Sequence, residues 1–331
     1  MERFALAAAV VLGFALTAAL CSLFVPLRRV LERREQQQQP VQSEQPRPAP
    51  LRAPLWGGLC AAAGMVAAVG VGWLAACVGQ PELLGSEGRL MTRLLTALAG
   101  SLAFGAVGLA EDLARMRSPA ALGLRRDVRL LLEALAAAFV LLMLQAAGCL
   151  PRGLGVPGAG YVLLGSAVPL LWAVLMVTLA ECARVAERDE GTVCGAAFAA
   201  MLALMMVEAG LGVPGLAVLP GALAGALVAL GLWAFPPAKL GAGCCGSLLA
   251  AGAIGCIPLS LDMTSLTVPL ALPFWAAGGL LAAQLLCAKR TGKPLRCWVK
   301  KHKMSPETVF LCSFALSAVG YVLALALLRW C

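Results

Sequence analysis

GLAVLPGALAGALVALGLWA, residues 215–234, runs for twenty residues without one charged side chain. At about 1.5 Å per residue a helix of this length spans about 30 Å, the thickness of a bilayer's hydrocarbon core. The stretch lacks the apolar–polar alternation of a barrel strand. A helix, which satisfies its own backbone, is therefore the only plausible spanning form. Outward from this stretch, comparable windows occupy 4–26, 54–79, 91–110, 128–149, 161–181, 193–212, 244–261, 265–288 and 308–329. The pattern predicts an all-α integral membrane protein of about ten transmembrane helices, one polytopic domain over 1–331. The quoted span also carries Gly221 and Gly225 as G-x-x-x-G, a packing notch that lets a second backbone approach. Pro269 and Pro273 fall inside the ninth window, where lost backbone hydrogen bonds predict a bent helix.

Composition agrees with lipid burial. Of 331 residues 61% are hydrophobic and 13% charged, against about half and a quarter in soluble domains. The 13 cysteines sit mostly in apolar runs, where a thiol acts as a small hydrophobe. With one histidine and no C-x-x-C pair, a conventional His-based zinc site is excluded.

Of the 26 Lys and Arg, 21 fall in the loops after odd-numbered windows, with Arg129 at the edge of the fourth window counted in the loop before it. The positive-inside rule then puts those loops in the cytoplasm and both termini on the outer face. The net charge of +9 is thus topological, and nucleic-acid binding is not expected. Met1-Glu2-Arg3 ahead of the first window carries no net side-chain charge, unlike a cleaved signal peptide. Two of the loops stand out. Residues 27–53 are rich in Gln and Pro, which predicts an extended or mobile chain, and 289–307 is strongly basic.

Charged groups in a membrane are costly, so their placement is informative. Glu111 and Asp112 follow the third window; Glu181, Glu187, Asp189 and Glu190 follow the fifth. Carboxylates for Mg²⁺ beside Lys or Arg for phosphate oxygens would suit phosphate chemistry at a membrane surface. The plainer alternative is that these groups end helices and pair with Arg115, Arg184 and Arg188. A transporter would instead place carboxylates or broken helices near the midplane, whereas these lie at span ends.

Several strings add a resemblance that covers nearly the whole chain. Ala53-Pro54-Leu55-Trp56-Gly57-Gly58 resembles T-P-T-M-G-G at the entry to a second span. Residues 105–112 end Ala110-Glu111-Asp112 and resemble G-x-x-G-x-x-D-D, with Gly123-Leu124 in the place of K-G-L. Phe235-Pro236-Pro237-Ala238-Lys239 and then Gly243-Cys244-Cys245-Gly246-Ser247-Leu248 resemble N-x-P-A-K-x-F-M-G-D-x-G-S-L. Lys300-Lys301-His302 stands where P-x-H-H-H is found. These motifs belong to the polyprenyl-phosphate N-acetylhexosamine-1-phosphate transferases, and the likeness is nearest to phospho-N-acetylmuramoyl-pentapeptide transferases of peptidoglycan synthesis.

The resemblance implies a bacterial inner-membrane protein that moves a phospho-sugar from a UDP-linked donor to polyprenyl phosphate, using Mg²⁺. Cell-wall synthesis proteins are the implied partners, and such enzymes are often homodimers. It points to Glu111, Asp112, Cys244 and His302 as catalytic positions, with Asp112 and Glu187 as metal ligands. Arg115, Glu181, Arg184, Glu187, Glu190, Lys239, Lys300 and Lys301 take the substrate-binding positions.

Position by position, this chain departs from that pattern. Cys244 replaces the aspartate of G-D-x-G-S, and a soft thiol, neutral near pH 7, is a poor partner for hard Mg²⁺. Lys300 and Lys301 replace two histidines, and the asparagines of the fifth-span loop are gone. The expectation is a transferase fold with an impaired centre that retains a polyprenyl lipid or nucleotide-sugar. The alternative is an active Mg²⁺-dependent transferase centred on Glu111 and Asp112.

Overall fold

The computed structural model describes residues 2–38, 56–79, 88–117, 123–151, 153–156, 160–163, 165, 167–187, 191–235, 238–291 and 305–330. Its helices are α1 (Glu2–Gln38), α2 (Gly57–Gly79), α3 (Gly88–Arg117), α4 (Arg126–Ala146), α5 (Ala167–Ala186), α6 (Thr192–Gly210), α7 (Pro214–Ala234), α8 (Gly243–Ser260), α9 (Thr267–Leu270), α10 (Leu272–Thr291) and α11 (Pro306–Trp330). Taking α9 and α10 together, one helical element stands at each of the ten windows. Among the described residues, eight helices are long and apolar enough to cross a membrane, or nine if that bent pair is one span. The all-α, multi-span architecture expected from about ten windows is thus present, with this stricter count falling just below the number of windows. The element outside the count is α4, which carries Arg126, Asp127, Arg129 and Glu133 in its first two turns.

Pro269 and Pro273 flank the break between α9 and α10, where the axis turns by 61°. The ninth span is bent, as its prolines predict. A smaller difference lies before α5. Residues 153–156 and 160–163 pair as an antiparallel hairpin, β1 and β2, so α5 begins at Ala167 rather than near 161. Gly153, Gly155 and Gly160 disfavour helix, while Tyr161 and Val162 suit a strand. α1 also runs on to Gln38, helical over the first part of the Gln- and Pro-rich segment whose composition predicts an extended or mobile chain. The rest of that segment, and 292–304 of the basic loop, lie outside the described residues.

The bundle is organised around α8. All eighteen of its residues are buried, and they are mainly Gly, Ala, Cys, Ser and Leu. Small side chains let neighbouring backbones come close, which is how helices associate where lipid gives no hydrophobic drive. A Cβ on Gly108 of α3 would collide with the Cys244 carbonyl and lie 2.7 Å from the Cys245 nitrogen. One on Gly252 of α8 would lie 2.9 Å from the Phe104 Cβ. The Gly221/Gly225 notch works in the same way, since a Cβ on Gly225 would meet the Val10 carbonyl of α1. That glycine pair is a packing device within one chain.

These contacts give a direct expectation. Gly108→Ala should destabilise the protein by about 1–3 kcal/mol, because the seam between α3 and α8 must open. Gly70→Ala is the control, since a Cβ there meets nothing within 4 Å. Unfolding of both variants in detergent, read by intrinsic fluorescence, checks it, and equal stabilities would contradict this seam.

One end of the bundle brings together the start of α2, the last turns of α3 and α5, and the residues that lead into α8. The Gly57 N–H at the start of α2 donates to the Gly241 carbonyl just before α8, at 3.2 Å. A Cβ on Gly58 would collide with the Gly246 nitrogen and press on the Ala242 carbonyl, so only glycine allows this docking. The Trp56-Gly57-Gly58 string and the Gly241–Gly246 string, far apart in sequence, are thus one joint. Asp262 lies just past the opposite end of α8, roughly 27 Å away by helical rise.

Candidate functional site

At that end, α8 begins without a side-chain cap of its own. Gly243 sits at φ +67°, and Ala242 before it has no side-chain acceptor. The first amides of a helix need partners, and here α3 provides them. The Cys244 N–H donates to Asp112 Oδ1 at 3.1 Å, and the Cys245 N–H donates to Asp112 Oδ2 at 2.9 Å. Asp112 is 1% exposed. Its carboxylate caps the helix from a distance and meets the positive end of the helix dipole.

Glu111, the neighbouring acid, is 2% exposed and is surrounded by guanidinium groups. Its Oε1 lies 2.8 Å from Arg115 Nη2, 3.5 Å from Arg129 Nη1 and 3.5 Å from Arg184 Nη1. Glu181 of α5 accepts from the same set: Arg129 Nε at 2.9 Å and Arg184 Nη2 at 2.7 Å. Glu133 of α4 is fully buried, 3.9 Å from Arg129 Nε, and neither of its oxygens has a hydrogen-bond partner. Four carboxylates and three guanidiniums therefore lock together α3, α4, α5 and the start of α8.

The structure thus brings Glu111, Asp112, Arg115, Glu181, Arg184 and Cys244 into one cluster. Glu187, at the end of α5, stands within electrostatic range of Arg115 and Cys244. Lys239 is exposed in the loop before α8, where its N–H donates to the Trp233 carbonyl at 2.8 Å. Glu190, Lys300, Lys301 and His302 lie outside the described residues. Two members of the cluster are missing from the sequence reading, Arg129 and Glu133. Arg129 is read there as a loop charge that sets topology. The signal for both is an Arg and a Glu four residues apart as the only charges in the apolar window 128–149, a costly placement that asks for partners.

Magnesium needs several oxygen ligands in near-octahedral geometry. Each oxygen of Asp112 accepts a backbone N–H, and Glu111 Oε1 faces three cationic groups. Cys244 is fully buried and carries a soft thiol, not a carboxylate. Among the described residues, no three His, Cys, Asp or Glu side chains converge as metal ligands. This donor set does not suit a magnesium ion. What it does suit is neutralising buried charge and holding helix ends in register.

No curated protein matches the chain. The model of glycosyl transferase family 4 matches residues 94–262, from the second turn of α3 to just past α8, and includes every residue of this cluster. The chain therefore belongs to that family, the polyprenyl-phosphate hexosamine-1-phosphate transferases.

Proposed function

We propose that this multi-pass membrane protein is a family member in which Mg²⁺-dependent phospho-sugar transfer is lost or severely impaired. It keeps the fold and a place for polyprenyl phosphate or a nucleotide-sugar. The observation that carries this reading is the state of Asp112. Its two oxygens cap α8 through Cys244 and Cys245, where the family pattern has a second acid in place of Cys244. The Lys and Arg distribution supports a cytoplasmic position for this end of the bundle, and the motif resemblance supports the inner membrane of a bacterium. Cell-wall synthesis proteins, and a second copy of the chain, belong to the same proposal as partners.

A second reading has one observation in its favour. Glu187 lies within electrostatic range of Cys244 and could supply the absent carboxylate, giving a working transferase with a rearranged Mg²⁺ site. One assay separates the two. Purified protein in detergent receives Mg²⁺, UDP-MurNAc-pentapeptide or UDP-GlcNAc, and undecaprenyl phosphate. The impaired centre releases no UMP above background. Steady UMP release, abolished by Glu187→Gln, would establish the second reading instead.

A further inference from the structure

We propose that the Arg184 guanidinium stands in for a divalent cation, neutralising Glu111 and Glu181 so that the centre takes up no metal. The inference deepens the proposed function and rests on its reading that the centre does not run on Mg²⁺. Arg184 reaches both acids at once, with Nη1 3.5 Å from Glu111 Oε1 and Nη2 2.7 Å from Glu181 Oε2. It joins α3 to α5 as a bridging ion would join two carboxylates. Its side chain is 15% exposed, with Glu111 at 2% and Glu181 at 27%, so the Glu111 side of the pairing is shielded from water.

The rest of the cluster sharpens the argument. Glu133 is fully buried with both oxygens lacking hydrogen bonds, and Glu111 Oε2 is likewise buried without a partner. Around Arg184 four carboxylates thus face three guanidiniums, with the Arg184 Nε itself buried without an acceptor. Withdrawing one guanidinium leaves Glu111, Glu181 and Glu133 facing only Arg129 and Arg115. Buried carboxylates in that balance either take up protons or take up a cation. A planar guanidinium also suits the place better than an ammonium, because only the fork can hold two carboxylates together.

The test is Mn²⁺ binding to the full chain in detergent at neutral pH, read as loss of the free-ion spin-resonance signal. Wild type should bind no Mn²⁺ in the micromolar range, and Arg184→Lys, which keeps the charge without the fork, should gain less than Arg184→Gln. Arg184→Gln should gain affinity by roughly tenfold or more, and adding Glu111→Gln should remove that gain. Wild-type binding that Glu111→Gln abolishes would overturn the inference, and this arm holds even if Arg184→Gln does not fold. A folded Arg184→Gln with no gain would also overturn it. The proposed function fails separately: UMP release in EDTA would sink that reading and leave this one standing. Mn²⁺ bound by wild type without UMP release would do the reverse.

Discussion

Asp112→Ala lowers the unfolding free energy by about 3–5 kcal/mol, since two buried N–H groups lose their acceptor together. The amides of Cys244 and Cys245 have no other partner in reach of α8's own side chains, because Ala242 and Gly243 offer none. Water cannot replace the carboxylate at a residue that is 1% exposed. Asp112→Asn should cost less, about 1–3 kcal/mol: the amide keeps one acceptor oxygen and turns a donor toward the second N–H. Denaturant titration in detergent gives the two values. Hydrogen exchange localises them, with faster exchange in the 243–248 peptide and little change across 215–230. Equal stability of Asp112→Ala and wild type would show that α8 does not depend on α3 for its cap.

A second large effect is expected at Arg129. Its guanidinium touches Glu111, Glu133 and Glu181, and its side chain is only 8% exposed. Removing one partner from a buried ion network costs about 3–5 kcal/mol, because the opposing charges stay buried and uncompensated. Arg129→Ala should therefore be among the most destabilising single changes in the chain. Arg129→Lys should restore less than half of the loss, since a single ammonium cannot meet Glu181 and Glu111 from one position. The same unfolding titration decides it. If Arg129→Ala proves as stable as a surface change such as Arg117→Ala, the network contributes nothing to the fold.

Both expectations bear on how the centre should be understood. Glu111, Asp112 and Glu181 lie where phosphate chemistry would want acids, yet Glu111 Oε1 and the oxygens of Asp112 and Glu181 are engaged by guanidiniums and helix amides. Acids held in this way strengthen the scaffold. A protein that spends them so can keep the shape of a transferase while changing what its centre is for.

The main outline was legible in the sequence because transfer into lipid is a cost summed along a segment. Apolar windows of about twenty residues locate the helices without reference to neighbours. Pro269 and Pro273 announce their bend, and Gly221 and Gly225 their notch, because missing donors and missing Cβ atoms act locally. The family resemblance also names Glu111, Asp112, Arg115, Glu181, Arg184 and Cys244 as positions of one site, whereas their spacing alone fits helix ends that pair with nearby arginines. α4 shows where this kind of reading thins out. Its apolar run marks a helix, but the charges of its first turns gain meaning only from their partners.

What only the tertiary structure decided is how each acid is used. Asp112 meets backbone amides 132 and 133 residues away, and a backbone N–H carries no residue identity that a motif could register. Arg129 reaches Glu181 across 52 positions, and Arg184 reaches Glu111 across 73. Such pairings depend on which helix faces meet, and that is set by Gly108 and Gly252 admitting α3 against α8. By itself the sequence determined a bundle of membrane helices with acids and arginines at one end, since burial costs belong to single residues. The packing decided that those acids cap a helix and bind guanidiniums, since Coulomb and hydrogen-bond energies depend on distances that only the folded chain sets.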